Sequence, residues 1–236
     1  MLNCYLKNKA FLEPKNEDAK TSMVFERLLH LPSELVWKII RDSCCSTVPA
    51  EYSDAGKILS YEFWPKYDVI DKLGQKTADN KNYVEPDLVI KFENFTLIIE
   101  AKEKDNQGYV QSPEQWGKEL NTYRNENGFA DKVVMLAVGG NTDLQTFELV
   151  DQNHSRVPVL KATWNRMLQT IYFTQRNSSD VDQLDRIFNA LKSTFRFFGN
   201  YYIHSWPEDI QAAGINSESN IKVNELWEIK HIKKNY

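Results

Sequence analysis

The sequence lacks the features that mark several common protein classes. No apolar run approaches the roughly 18 residues that a membrane-spanning helix needs, and the N-terminus, with Lys7, Lys9, Glu13 and Lys15 close together, contains no signal-peptide hydrophobic stretch. These absences lead us to expect a soluble cytoplasmic protein with no membrane partner. Cysteine is scarce: Cys4 and the adjacent Cys44 and Cys45 match neither a disulfide framework nor a metal-ligand spacing, in keeping with a reducing compartment. There is no Gly-Lys-Ser/Thr phosphate loop, no paired-glycine dinucleotide fingerprint and no nucleophile elbow. His30, His154, His204 and His231 are isolated in sequence, which gives a histidine-metal nuclease or a zinc hydrolase no local support. No internal repeat or low-complexity tract is found. Nor is there an excess of positive charge. A formal net charge of −4 argues against a protein that coats nucleic acid. An enzyme that engages a few phosphates needs only a local patch, and Lys230, His231, Lys233 and Lys234 form either such a patch or a solvated tail.

The chain of 236 residues has ordinary apolar and charged fractions, 42% and 26%, enough for one domain with a sizeable core. Its most informative stretch runs from Glu85 to Lys102. Leu88 to Phe92 and Phe95 to Ala101 are rich in β-branched and aromatic residues, and the polar pair Glu93 and Asn94 between them suits a tight hairpin. With that turn, Phe92 faces Phe95, Val89 faces Ile98 and Asp87 faces Glu100, because antiparallel partners keep a constant sum of residue numbers. A three-residue loop would shift this register and break the opposition. Lys102 shares the face of Asp87 and Glu100. Two carboxylates about 5 Å apart repel by about 3 kcal/mol at an effective dielectric near 20. A divalent cation removes that cost, and hard oxygen donors with positions left for water and phosphate suit Mg²⁺ or Mn²⁺. Lys102 would reach the same space, to orient a water or stabilise charge on a phosphate. The alternative is an ordinary hairpin whose charges mark strand ends.

Pro86 and Asp87, a spacer of twelve residues, then Glu100, Ala101 and Lys102 resemble the signature of the PD-(D/E)XK nucleases. The resemblance implies an α/β fold with a restriction-endonuclease-like mixed central sheet flanked by helices. A helical C-terminal extension would follow, with the core at about 14–175 and the extension at about 176–236. It further implies metal-dependent hydrolysis of DNA by a stand-alone nuclease of restriction or defence type, cutting duplexes as a homodimer or by successive nicks. Asp87 and Glu100 would be metal ligands, with Lys102 beside the attacking water. A non-catalytic nucleic-acid-binding or assembly subunit on the same fold is the alternative, and an unrelated enzyme with a structural hairpin is a third.

Along the chain, Asn16 is an N-cap, followed by Glu17 and Asp18 at the positive end of a helix that runs toward Pro32. Thr21, Val24 and Leu28 fall on one face with Glu17, whereas Glu26 points away. In the resembled family a first helix often offers a glutamate to the metal, so Glu17 is the candidate and Glu26 its competitor. A surface acid that merely compensates the dipole is the other reading of Glu17. Ser33 and Glu34 open a second helix through Val36, Ile39 and Ile40. Leu59, Tyr61 and Phe63 alternate before Pro65, as in a first strand within 57–69. The polar stretch 71–83 is an exposed loop, solvated or in contact with a nucleic-acid backbone. After a loop containing Lys104 and Gly108, Ser112, Pro113, Glu114 and Gln115 form a capping box that starts a helix with Trp116, Leu120 and Tyr123 on its stripe and Gly128 at its end. Some branches of the resembled superfamily carry Gln then Tyr four residues later in this helix. Here Gln115 is followed by Glu119, so Gln115 is either a cap or a substrate contact. Lys104, Lys118, Tyr123 and Arg124 are secondary candidates for phosphate contact. Val133 to Val138 is a buried strand and Val157 to Leu160 a short one. Two further helices carry Trp164, Leu168 and Ile171, then Leu184, Phe188 and Leu191. The aromatic cluster from Phe195 to Trp206 packs in the core or stacks on bases.

Overall fold

The computed structural model describes residues 16–68, 83–105, 110–177 and 182–200. The basic patch at Lys230, most of the polar loop at 71–83, and the part of the aromatic cluster beyond Asn200 lie outside those residues. So does most of the expected C-terminal extension.

Helix α1 spans Glu17–Leu28, and the Asn16 side chain caps it by accepting from the Ala19 N–H at 2.8 Å. It ends short of Pro32, and α2 follows at Ser33–Ser43. Helical phase gives α1 one buried face. Instead every residue from Ala19 to Phe25 is buried, because a later helix, α5 (Asp182–Phe197), and Phe198 just after it cover its other side in the cluster of Ala19, Met23 and Phe198. Trp37 of α2 sets its ring edge-on against Phe92 and Phe95 of the sheet.

Among the described residues eight strands follow: β1 Ile58–Phe63, β2 Tyr67–Asp68, β3 Tyr83–Val84, β4 Leu88–Phe92, β5 Thr96–Ala101, β6 Val133–Val138, β7 Phe147–Val150 and β8 Arg156–Ala162. Six of them form one mixed sheet in the order β1-β4-β5-β6-β8-β7, and β2 and β3 make a separate ribbon. Helix α3, Pro113–Asn127, links the parallel neighbours β5 and β6. Helices α4 (Trp164–Asn177) and α5 (Asp182–Phe197) close the described chain. The expected α/β class, a mixed central sheet flanked by helices, is what the chain adopts. Strand β7 is not legible in the sequence because its four residues carry one buried side chain, Leu149.

Every residue of β5 and β6 is buried, as in central strands covered on both faces. On one face Val89, Ile98, Met135 and Val159 pack under Trp116, Leu120 and Tyr123 of α3. Burying each such aliphatic side chain stabilises the fold by roughly 1.5–3 kcal/mol. Strand β1 is an edge, and the expected alternation is absent, since all four residues from Leu59 to Glu62 are exposed. Leu59 and Tyr61 are exposed while Phe63 is buried, and a bulge between Ile58 and Ser60 shifts the register.

Candidate active site

The hairpin register decides where the acids lie. Val89 pairs with Ile98 and Leu88 with Ile99, so the next position outward sets Asp87 against Glu100. The Phe92 N–H donates to the Phe95 carbonyl at 2.9 Å, closing the turn in the expected register. Both oxygens of Asp87 are held: Oδ2 accepts from the Ala101 N–H at 2.8 Å and Oδ1 from the Trp64 indole at 3.1 Å. Trp64 delivers that indole from a left-handed backbone, φ +48°, which costs a non-glycine residue of order 1 kcal/mol. Asp87 is buried. Burial, then the neighbouring Glu100, push its carboxyl well above the ordinary range, against the pull of the Ala101 N–H.

Glu100 sits near the end of β5 and is also buried. Its Oε1 accepts from Lys102 Nζ at 2.5 Å and from Gln115 Nε2 at 2.6 Å. Lys102 Nζ lies 3.5 Å from Glu17 Oε1, and Glu17 Oε2 accepts from the Glu103 N–H at 3.0 Å. The start of α1 is therefore brought to the end of β5, and Glu17 meets the lysine. Burial alone would lower the Lys102 ammonium; Glu100, then Glu17 and Asp87, outweigh it and hold the pKa above its ordinary value. Burial, then Glu119, lift Glu100 to about 8. Glu119, on α3 one turn beyond Gln115, is lifted to about 8 by its own burial, although Gln115 Nε2 donates to its Oε1 at 2.9 Å. An open cleft of about 480 Å³ gives access, lined by Asn16, Glu17, Asp18, Lys102, Glu103 and Gln115 among others.

The backbone beneath these side chains is fastened on three sides. The Lys102 N–H donates to the Val138 carbonyl at 2.8 Å, and the Trp164 indole donates to the Lys102 carbonyl at 2.6 Å. Gln111 Nε2 donates to the Glu100 carbonyl at 3.1 Å. Asp105 accepts from the N–H groups of Trp164 and Asn165, so the loop after Lys102 caps α4.

No family model matches the sequence. The uncharacterized protein PM0110 of Pasteurella multocida (strain Pm70) is 31% identical over 126 residues, which are 52% of this chain and 42% of that protein. The chain thus spans less than half the length of that relative. Among solved structures, the small subunit of the heterodimeric restriction endonuclease R.BspD6I aligns over 76% of this chain and 96% of its own, at 10% identity and a TM-score of 0.28.

The remaining candidates separate by burial. Lys104 and Lys118 are exposed, at the loop after Lys102 and on α3. Tyr123 is fully buried and donates its hydroxyl to Thr96 Oγ1, and Arg124 is buried beside Asp151 at 3.4 Å. Neither can meet a phosphate from that position. Both lie inward because α3 turns its Trp116, Leu120, Tyr123 face onto the sheet. Glu26 is half-buried and accepts from the Ser22 hydroxyl at 2.7 Å, so it is not the solvated acid expected from phase. Among the described residues no three His, Cys, Asp or Glu side chains form a ready-made metal cluster. Sequence reasoning passes over Trp64, Gln111, Glu119 and Trp164. Only Glu119 has a signal, its spacing of four from Gln115 on one helix face.

Proposed function

We propose that this chain is a Mg²⁺- or Mn²⁺-dependent nuclease of the PD-(D/E)XK kind that hydrolyses DNA phosphodiesters internally. The observation that carries this reading is the convergence of Asp87, Glu100 and Lys102 at the ends of two adjacent buried strands, beside an open cleft. The donor set fits a hard divalent cation. Two buried carboxyls hold their protons to unusually high pH, which is the penalty that a bound cation relieves. Asp87 and Glu100 would hold the ion, with Glu17 tuning the site through Lys102. When bound, such an ion polarises a phosphoryl oxygen and lowers the pKa of a coordinated water.

The protein's own groups supply the rest. Lys102 keeps its proton at neutral pH, since three carboxyls surround it, so its part is to donate to a water or to phosphate oxygens and to offset developing charge. It is not the base. Gln115 steers the Glu100 carboxylate, and the Ala101 N–H with the Trp64 indole fix that of Asp87. Lys104, in the loop after Lys102, and Lys118, on α3, are exposed cations that would be available to the polymer backbone. Cutting both strands of a duplex takes a homodimer or two successive nicks.

A second reading, a non-catalytic DNA-binding or assembly subunit, is favoured by one feature: the Lys102 ion pair already occupies a Glu100 oxygen. Incubation with linear, circular and single-stranded DNA separates the two. We expect cleavage in Mg²⁺ or Mn²⁺, none in chelator, and loss of cleavage in folded Asp87→Ala, Glu100→Ala and Lys102→Ala variants. Full activity in chelator or in Asp87→Ala would sink the mechanism, and DNA retention without any cleavage would favour the second reading.

A further inference from the structure

Glu119 is the carboxylate that the hairpin signature leaves out. It is 1% exposed, and its Oε2 has no hydrogen-bond donor. Buried polar atoms are nearly always satisfied, and a buried carboxylate oxygen is among the costliest to leave bare. Its one side-chain donor is Gln115, at 2.9 Å on the other oxygen, and no described lysine or arginine makes an ion pair with it. The same Gln115 Nε2 holds Glu100 at 2.6 Å, and the two carboxyls are close enough to share a hydrogen bond when one is protonated. Lys102 pairs with Glu100 and with Glu17, and leaves Glu119 with no ion pair among the described residues.

A hydrogen bond to Gln115 alone does not account for this arrangement. A glutamate kept only for its bond to Gln115 would be replaced without loss by a glutamine, which spares the cost of burying a charge. We propose that Glu119 is a further ligand of the divalent-cation site, delivered from α3 with Gln115 as the spacer that keeps it beside Glu100. This rests on the reading above that the site takes such a cation, and it extends the ligand set from the hairpin to the helix that covers it.

The test is Mn²⁺ binding to the whole chain by calorimetry, with the Mn²⁺ electron paramagnetic resonance spectrum as a report on the ligand set. Unaltered protein, Glu119→Gln and Asp87→Asn are compared without DNA. Glu119→Gln should bind Mn²⁺ at least about tenfold more weakly, with an altered spectrum and a melting temperature in chelator that is unchanged or higher. Equal affinity and an identical spectrum in Glu119→Gln, with binding lost in Asp87→Asn, would overturn the assignment of Glu119 alone. No Mn²⁺ uptake by the unaltered chain would overturn the metal reading itself. If Glu119→Gln does not fold, Glu119→Asp carries the same comparison, since it keeps the charge and shortens the reach.

Discussion

At the scale of single residues the site is a contest over protons and cations. Glu100 and Glu119 titrate near 8 in the folded chain, against an ordinary value of 4.5. Between those values the folded state holds more protons than the unfolded one, so the stability they contribute is present at low pH and lost as pH rises through about 8. The melting temperature of chelated protein should therefore fall between about pH 5 and pH 8, and Glu119→Gln should flatten the fall. A midpoint that climbs across that window would contradict the burial of these acids. The first helix offers a second check. Glu17 reaches Lys102 Nζ at 3.5 Å, whereas Glu26 is occupied with Ser22 on the same helix. Glu17→Gln should lower cleavage markedly with little change in melting temperature, and Glu26→Gln should leave cleavage intact. Equal indifference of the two variants would reduce the site to Asp87, Glu100 and Lys102.

At the scale of elements, the position of Lys102 depends on how β5, β6 and α4 meet. Gly139 follows β6 with φ +68°, and a Cβ there would stand 2.6 Å from the Lys102 carbonyl oxygen and 2.9 Å from the Trp164 indole nitrogen. A side chain would both strain the backbone and part the bond that pins Lys102. Gly139→Ala should destabilise the fold by about 1–3 kcal/mol and depress cleavage with it. Gly117, inside α3, has open space where a methyl group would stand, with nothing within 4 Å. There the same change should stabilise by about 0.5–1 kcal/mol, the helical preference for alanine. Thermal melts of the two variants decide the point, and a tolerant Gly139 would mean that the contact yields easily.

At the scale of the whole molecule, a net charge of −4 and the acids Glu17, Asp18 and Glu103 that line the cleft oppose a polyanion. Binding to a labelled duplex should be weak in chelator and tighten several-fold when a divalent ion neutralises the acids. Fluorescence anisotropy at moderate salt, with Lys102→Ala to prevent cutting, reads this directly. Tight binding that ignores the metal would instead point to a subunit that holds DNA without cleaving it.

The local rules of the chain determined a good deal. A polar turn between two apolar runs sets a pairing register, so Val89 meets Ile98 and Asp87 comes opposite Glu100 without any knowledge of the rest. Asn16 and Ser112 mark helix starts because a side-chain oxygen at that position satisfies an otherwise unpaired N–H. Periodicity, however, says which side chains share a face and not what covers that face. Helix α1 is buried on both sides because α5, more than 150 residues later, packs on its outer side. Tyr123 goes inward and Glu119 ends beside Glu100 because α3 runs along β5, from Gln115 at Glu100 to Tyr123 at Thr96. Those outcomes depend on contacts between elements far apart in sequence, and only the tertiary structure decided them.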